Sequence, residues 1–345
     1  MRFVWLAIVF LCAPALAQHK NVYLYQGADR EQRLIEGAKK DKTVVVYTSL
    51  NTKDSVPITQ AFEKKYGVKV ELWRSSSEKV LQRALTEARA GRHSVDAFEL
   101  NGPEMEALYR EGLLEEFWSP HFKSLPPAAF AKHKHYVADR FNFFTIAYNT
   151  NLVKPNEVPN SYEDLLDPRW MGKIGIEASD DDWFASIVKH MGEAKGLEFF
   201  RKLAQMKPQL RTGHTLLAEL VAAGEIPLVA TIYNHNAERL VVNGAPIKWK
   251  ALNPTFGRPN AVAVTKNAPR PYAALLFCDF MLSPEGQALI KARNRVPAST
   301  AVETNLNKFP FLMIDPIIVL DEQEKWEKHW SQLFLKGQAI KREAD

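Results

Sequence analysis

The sequence predicts an α/β protein of two lobes, in which short buried strands alternate with helices around parallel sheets. Three observations carry this expectation. The chain has 345 residues, more than one core of ordinary size encloses, so two lobes suit it better than one. Apolar runs of strand length, such as TVVVY at 43–47, are followed by turn formers and then by a stretch with helical spacing. That alternation favours parallel strands joined by right-handed crossovers. The third observation is LVATIYNHNAERL at 228–240, which reads as a buried strand, a polar turn and the first turn of a helix. In an open α/β sheet such a turn lies at the carboxyl edge, where ligands bind. Tyr233, Asn234, His235 and Asn236 set four hydrogen-bonding side chains there. A helix with Asn as its N-cap explains the same residues, and the stretch alone divides evenly between the two readings.

The composition is that of a globular protein, with 46% hydrophobic and 25% charged residues, neither disordered nor fibrous. The formal charge of +5 is spread along the chain without a Lys/Arg block, so nucleic acid is not an expected partner. Arg2, the apolar run 3–11 and Ala15-Leu16-Ala17 form a secretory signal, expected to be cut before Gln18 and too short for a comfortable membrane span. Leu11 before Cys12 is too large for lipoprotein cleavage, so no lipid anchor is expected. Cleavage removes Cys12 and leaves Cys278, which excludes an intrachain disulfide.

The elements follow in order. Residues 29–40 form an amphipathic helix. The strand at 43–47 ends in Thr48, Ser49, Leu50 and Asn51, and a helix near 56–65 is stopped by Gly67. The strand 68–73 ends in Ser75-Ser76-Ser77 before a helix over 78–90. The strand 94–100 is followed by Asn101-Gly102-Pro103, which caps a helix through Arg110. Residues 120–135 are looser, and FNFFTIAY at 141–148 is a candidate crossing strand between lobes. A second α/β unit then opens with a strand at 173–177, a turn at 178–182 and helices at 183–191 and 196–206. Thr212-Gly213-His214 precedes a helix over 215–223, stopped by Gly224. Residues 253–258 and 261–265 look like a return crossing. An apolar helix spans 271–282, Ser283-Pro284-Glu285-Gly286 begins another, and the part after 314 is helical with Trp326 and Trp330 on one face.

At this point the chain resembles a known family: the periplasmic solute-binding subunits of ABC importers, in the extracellular group that includes the ferric-ion binders. The matching stretches include VVVYTS at 44–49, FEKKYGVKVELWRSSSEKVLQRALTEA at 62–88, VDAFEL at 95–100 and EGLLEEF at 111–117. They continue with IAYNTNLVKP at 146–155, SYEDLLDPRWMGKIGI at 161–176, AAGEIPLV at 222–229 and AALLFCDFMLSPEGQALI at 273–290. Their order and spacing carry the resemblance. It implies a two-lobed periplasmic-binding-protein fold of the type II kind, with the ligand cleft between lobes joined by crossing strands. Lobe one is then 18–139 plus 259–313, lobe two 140–258, and 314–345 a C-terminal helical segment. It further implies a soluble periplasmic monomer that closes on a small-molecule solute and delivers it to an inner-membrane permease with a separate ATPase subunit. No cofactor is implied, and the chain has no phosphate-loop motif. The ferric binders' His, Glu and two adjacent Tyr fall by position on Asn51, Asn101, His235 and Asn236, none of which matches. Ferric iron prefers anionic oxygen ligands, so the resemblance implies the fold and the transport role rather than simple iron binding. If iron is the ligand, Tyr233 and His235 are the candidate metal residues.

The expected ligand residues sit on the turns before helices: Thr48, Ser49 and Asn51; Ser76 and Ser77; Asn101; Ser179 and Asp181; Thr212 and His214; Tyr233, His235 and Asn236. Free backbone N–H groups and helix dipoles there favour a carboxylate, phosphate or phosphonate, and Arg74, Arg140, His214 and His235 add charge-assisted donors. Arg140 and Asn142 serve equally well as hinge residues. Asp180-Asp181-Asp182 chiefly stabilise a helix start; the functional alternative turns one Asp toward an ammonium or a metal, so a zwitterion satisfies both features. Trp183 divides evenly between stacking on a ligand and packing. His133 and His135 read as a solvated loop without a third metal ligand. Catalysis is not expected: Cys278, the one candidate nucleophile, sits in an apolar helix, whereas a reactive thiol needs access. An enzyme or a sensor-presenting receptor on this fold is the weaker alternative.

Overall fold

The computed structural model describes residues 16–337, so residues 1–15 of the expected 1–17 secretory signal and the last eight residues lie outside the described part. Twelve strands are present among the described residues: β1 Thr43–Thr48, β2 Lys69–Arg74, β3 Ala97–Asn101, β4 Leu114–Glu115, β5 Val137–Asn149, β6 Ile174–Glu177, β7 Gln209–Arg211, β8 Leu228–Tyr233, β9 Ile247–Lys250, β10 Thr255–Thr265, β11 Val296–Pro297 and β12 Phe311–Met313. The main path runs β2-β1-β3-β10-β5-β8-β6-β7. Within it β1 is parallel to β2 and β3, and β6 is parallel to β7 and β8. The two parallel sets are joined by β10 and β5, which are antiparallel to each other and to their neighbours on this path, β3 and β8.

Each set has its own core. Val44 and Val46 face one layer with Phe62, Phe277 and Phe280, while Tyr47 faces the opposite layer with Phe98, Met105 and Leu108; this is the period of two expected of a strand buried on both faces. On the other side, Ile174 and Ile176 pack with Trp183, Phe184 and Phe200, and Val229 and Ile232 with Leu217 and Val221. The chain changes core within the crossing strands. Phe143 belongs to the first core and Phe144 to the second, and along β10 Phe256 lies in the second core whereas Val262 lies in the first.

Caps and glycines set the boundaries. Asn51 Oδ1 accepts from Asp54 N at 3.2 Å to start the Thr52–Tyr66 helix, and Gly67, at φ +70, ends it. The crossing strands are longer than the apolar pattern predicts. β5 extends back to Val137 through the buried polar residues Asp139, Arg140 and Asn142, and β10 is one strand through Arg258, Pro259 and Asn260. Polar residues inside a buried strand interrupt the hydrophobic signal. β9 pairs with β5 and was not expected. The polar turn predicted at 233–236 is helix instead: Asn234–Val242 starts directly after β8, with Tyr233 as an N-cap that makes no side-chain cap bond.

The C-terminal part ties into both halves. The Pro316–Asp321 helix packs on the Gly102–Arg110 helix, where Pro316 meets the bare Cα of Gly102. The Gln323–Phe334 helix buries Trp326 and Trp330 in the second core, and Trp330 Nε1 donates to Ala178 O at 2.8 Å. No single helix among the described residues is long and apolar enough to cross a membrane. Trp330→Ala is expected to cost about 3–5 kcal/mol, read as a lower urea midpoint, whereas Leu312→Ala, at a side chain 45% exposed, changes it by less than about 0.5 kcal/mol. Equal small losses would contradict this placement of the C-terminal helix.

Candidate ligand-binding site

Six strand-to-helix turns, three from each parallel set, open on one cavity of about 160 Å³. By that measure it holds on the order of ten waters, enough for a small solute. Its wall carries Ser49, Asn51, Ser76, Ser77 and Asn101 from the first set. Glu177, Ser179, Asp181, Asp182, His214 and Tyr233 come from the second. Arg140, Asn142, Arg258 and Asn260 come from the crossing strands. Each turn begins a helix, so the positive ends of six helix dipoles lie at the cavity wall.

The first wall carries Ser and Asn side chains together with the carboxylates of Glu78 and Glu104. Asn51 and Ser76 cap their helices, and Ser77 Oγ accepts from Asn101 N at 3.2 Å. Asn142 Nδ2 donates to Asn260 Oδ1 at 2.8 Å, and Asn260 Nδ2 donates to Asn101 Oδ1. This chain of amides links both crossing strands to the first set. Beneath it, the fully buried Arg140 guanidinium bonds Glu99 and lies 3.3 Å from Asp139. Burial pushes the Asp139 carboxyl up to about 7, against the opposing pull of Arg140.

The second wall is acidic. Glu177 closes β6 and accepts from Gly213 N at 3.0 Å, Ser179 N at 2.6 Å and Ser179 Oγ at 2.7 Å. Burial, then the charge of Asp180, pushes its carboxyl up to about 7. Asp180 accepts from the Thr231 hydroxyl and lies 3.3 Å from His214 Nε2. Glu177, Asp180 and His214 are all buried, with donor atoms within 4.8 Å of one another, so this trio can hold a metal ion. Arg258 reaches over from β10, 5.4 Å from the Phe144 ring and 5.2 Å from the Tyr233 ring, and pairs with Asp182 at 3.2 Å. The Tyr233 hydroxyl is buried without a hydrogen-bond partner.

Of the residues expected from sequence, Ser49, Asn51, Ser76, Ser77, Asn101, Arg140, Ser179, Asp181, His214 and Tyr233 are brought together on the cavity wall. Thr48, Thr212, His235 and Asn236 do not line it. Thr48 turns its hydroxyl to the Glu99 carboxylate, and Thr212 is a half-buried turn residue just ahead of Gly213. Asn236 faces Thr215 Oγ1 at 3.5 Å. His235 Nε2 accepts from Arg295 Nη1 at 2.6 Å, which engages one of its two ring nitrogens. Trp183 packs on Phe200 and leaves the cavity to others. His133 bonds Glu106 at 3.1 Å and stacks on Tyr109 rather than standing in solvent. Sequence reasoning missed Glu177, Asp182, Arg258, Asn260 and Arg295 as wall residues. The signal for Glu177 was an acid at the carboxyl end of KIGIE; Arg295 had none. It also missed Val319, Leu320 and Gln323, with which the C-terminal segment forms a third side of the cavity.

Residues 100–315 match the family described as bacterial extracellular solute-binding protein. The chain belongs to that family. Among curated relatives, iron uptake protein A1 of Synechocystis sp. is 31% identical over 171 residues, 43% of this chain and 46% of that protein, so the chain spans less than half of that relative's length. An uncharacterized protein of Haemophilus influenzae is 28% identical over 261 residues, 71% of this chain and 74% of its own. Iron-bound HitA from Pseudomonas aeruginosa superposes with a TM-score of 0.74 at 20% identity, over 84% of this chain and 99% of HitA. AfuA from Actinobacillus pleuropneumoniae, with fructose-6-phosphate bound, gives 0.73 at 22% identity, over 85% and 99%. These two solved structures share the two-lobed fold predicted from the sequence.

His235 supplies a test of this geometry. Burial, and then the Arg295 charge, lower its pKa well below the usual 6.5, so the folded ring stays neutral while the unfolded ring takes a proton as pH falls through about 6.5. Stability is therefore lost as pH falls below that value and is flat above it on this account. His235→Asn is expected to show a shallower fall in melting temperature between about pH 6.5 and 5 than the parent chain. Parallel curves would contradict a neutral buried His235.

Proposed function

We propose that this chain is the periplasmic receptor of an ABC importer, that it captures a small anionic or zwitterionic solute between its lobes, and that it hands the solute to an inner-membrane permease with a separate ATPase. The observation that carries the ligand class is the convergence of six helix N-termini on one cavity of about 160 Å³. Each N-terminus favours a negative group by about 0.3–1 kcal/mol when exposed and more when partly buried. Arg140, Arg258 and Arg295 in the same wall add guanidinium charge. The carboxylates at Asp181 and Asp182 suit an ammonium or hydroxyls at the solute's other end. The crossing strands β5 and β10 act as the hinge, with Asn142 and Asn260 at its centre. A binding role, with no reacting group, fits the buried Cys278 thiol, which burial pushes up.

A ferric ion or ferric complex is the second reading. The observation that favours it is the Tyr233 hydroxyl, buried on the cavity wall without a partner, as a phenolate ligand would be before metal arrives. Thermal unfolding of the mature chain in the presence of a chelator, against sugar phosphates, phosphonates, amino acids and ferric citrate, separates the readings. A true solute at ~100 times its Kd adds about 2.7 kcal/mol. An anion or zwitterion is expected to raise the melting temperature, and Arg258→Gln to weaken that rise. Stabilisation by ferric citrate alone, added in excess of chelator, would overturn the proposal.

A further inference from the structure

The second wall of the cavity poses an electrostatic problem that the anion reading leaves open. Four carboxylates, Glu177, Asp180, Asp181 and Asp182, are buried at one strand-to-helix turn. Arg258 pairs with Asp182 at 3.2 Å, and His214 Nε2 lies 3.3 Å from Asp180. A buried charge is stable only when paired or bound to a metal, and an anionic solute approaching this wall meets charge of its own sign.

We propose that Glu177, Asp180 and His214 hold a divalent transition-metal cation in the floor of the cavity, and that this cation forms part of the surface the solute meets. Three features of the trio support it. Two carboxylates and an imidazole make a ligand set suited to zinc or manganese, and three protein ligands with one open position is the arrangement of an accessible metal site. The donor atoms lie within 4.8 Å of one another, so small side-chain rotations bring each to about 2.0–2.2 Å from one ion. The carboxylates are already oriented from behind, as metal ligands are. Gly213 N and the backbone and hydroxyl of Ser179 hold Glu177, and the Thr231 hydroxyl holds Asp180. Each carboxylate oxygen keeps lone pairs beyond these bonds.

A separate observation points to an occupant at this spot. Tyr233 lines the same cavity, is 2% exposed, and its ring centre lies 3.8 Å from that of His214. Its hydroxyl has no hydrogen-bond partner, an arrangement that costs stability unless something supplies one. Glu177 and His214 lie on the cavity wall, whereas Asp180 lies behind it. The open position of the cation is therefore on the cavity side, where a solute oxygen or the Tyr233 hydroxyl completes the shell. The site is built from residues of the second parallel set alone, so it forms without closure of the cleft.

The test uses the mature chain stripped with chelator and then dialysed free of it. Zinc, manganese and calcium chlorides are titrated by calorimetry with no solute present, and cobalt(II) is followed by its visible spectrum. One equivalent of zinc or manganese is expected to bind, and zinc is expected to displace cobalt with loss of its absorption band. Glu177→Gln and His214→Gln are each expected to weaken binding by more than about tenfold, while the exposed Glu285→Gln leaves it unchanged. Should either cavity variant fail to fold by circular dichroism, the cobalt spectrum of the unaltered chain decides, since a nitrogen ligand shifts it from that of carboxylate-only sites. Absence of stoichiometric binding, binding equal in folded variants and parent, or a cobalt spectrum of oxygen ligands alone would overturn the proposal. The proposal shares a cavity with the anion reading and fails separately from it. A solute that stabilises the chain in chelator, with no cation bound in this titration, removes the metal site and leaves the anion reading in place.

Discussion

The antiparallel pairing of β5 with β10 is the constraint on which the rest of the structure depends. These two strands lie between the parallel sets, and their register, Asn260 opposite Arg140 and Arg258 opposite Asn142, decides which residues face the space between the lobes. Because the sets on either side are parallel, every strand-to-helix turn within a set emerges at the same edge. The crossing strands bring the two edges together. The energetic burden falls on a few buried polar groups. Arg140 with Glu99 and Asp139 forms a charged knot at the point of crossing, where removal of one partner from a buried pair typically costs 3–5 kcal/mol, by order of magnitude. The amide chain Asn142–Asn260–Asn101 satisfies groups that an apolar strand would not need. Such a knot is a poor source of stability compared with apolar packing, and its place at the cleft fits a functional constraint.

The two walls that result differ in character. One offers hydroxyls, amides and helix N-termini beside Glu78 and Glu104; the other offers a tighter group of buried carboxylates with Arg258 laid across them. A solute with a single charge satisfies one wall at the expense of the other. A zwitterion, a hydroxylated anion, or an anion meeting a bound cation satisfies both, and each keeps the buried groups paired as a desolvated site requires. The C-terminal segment adds an apolar side through Val319 and Leu320. It is fixed to the first lobe by Pro316 and to the second by Trp326 and Trp330. The same segment thus narrows the cavity and connects the lobes at a third place.

Much of this was legible in the sequence. Short apolar runs such as TVVVY at 43–47, followed by Ser and Asn at helix starts, gave strand, turn and cap together, because one local pattern decides all three. The turns therefore identified Ser49, Asn51, Ser76, Ser77 and Asn101 as one group. What stayed hidden depends on long-range partners. Arg258 and Asn260 sit inside a buried strand that their polarity disguises, and Arg295 meets His235 across 60 residues of sequence. Glu177 reads as the polar end of a strand until Gly213, brought in by the neighbouring strand, donates to it. His235 and Asn236 were placed on the wall because the helix was expected to begin later; its start at Asn234 turns both toward protein partners. A one-residue change in a helix start rotates a side chain by about 100°, which sequence patterns do not fix.

Under the proposed function, the cavity at the crossing strands collects a small solute bearing negative charge. Native mass spectrometry of the mature chain, isolated from the periplasm without refolding, tests it most directly. The expected result is a bound organic anion or zwitterion that leaves on denaturation and is lost or depleted in Arg258→Gln. A chain that carries a ferric ion and no organic solute, equally in the parent and in Arg258→Gln, would contradict it.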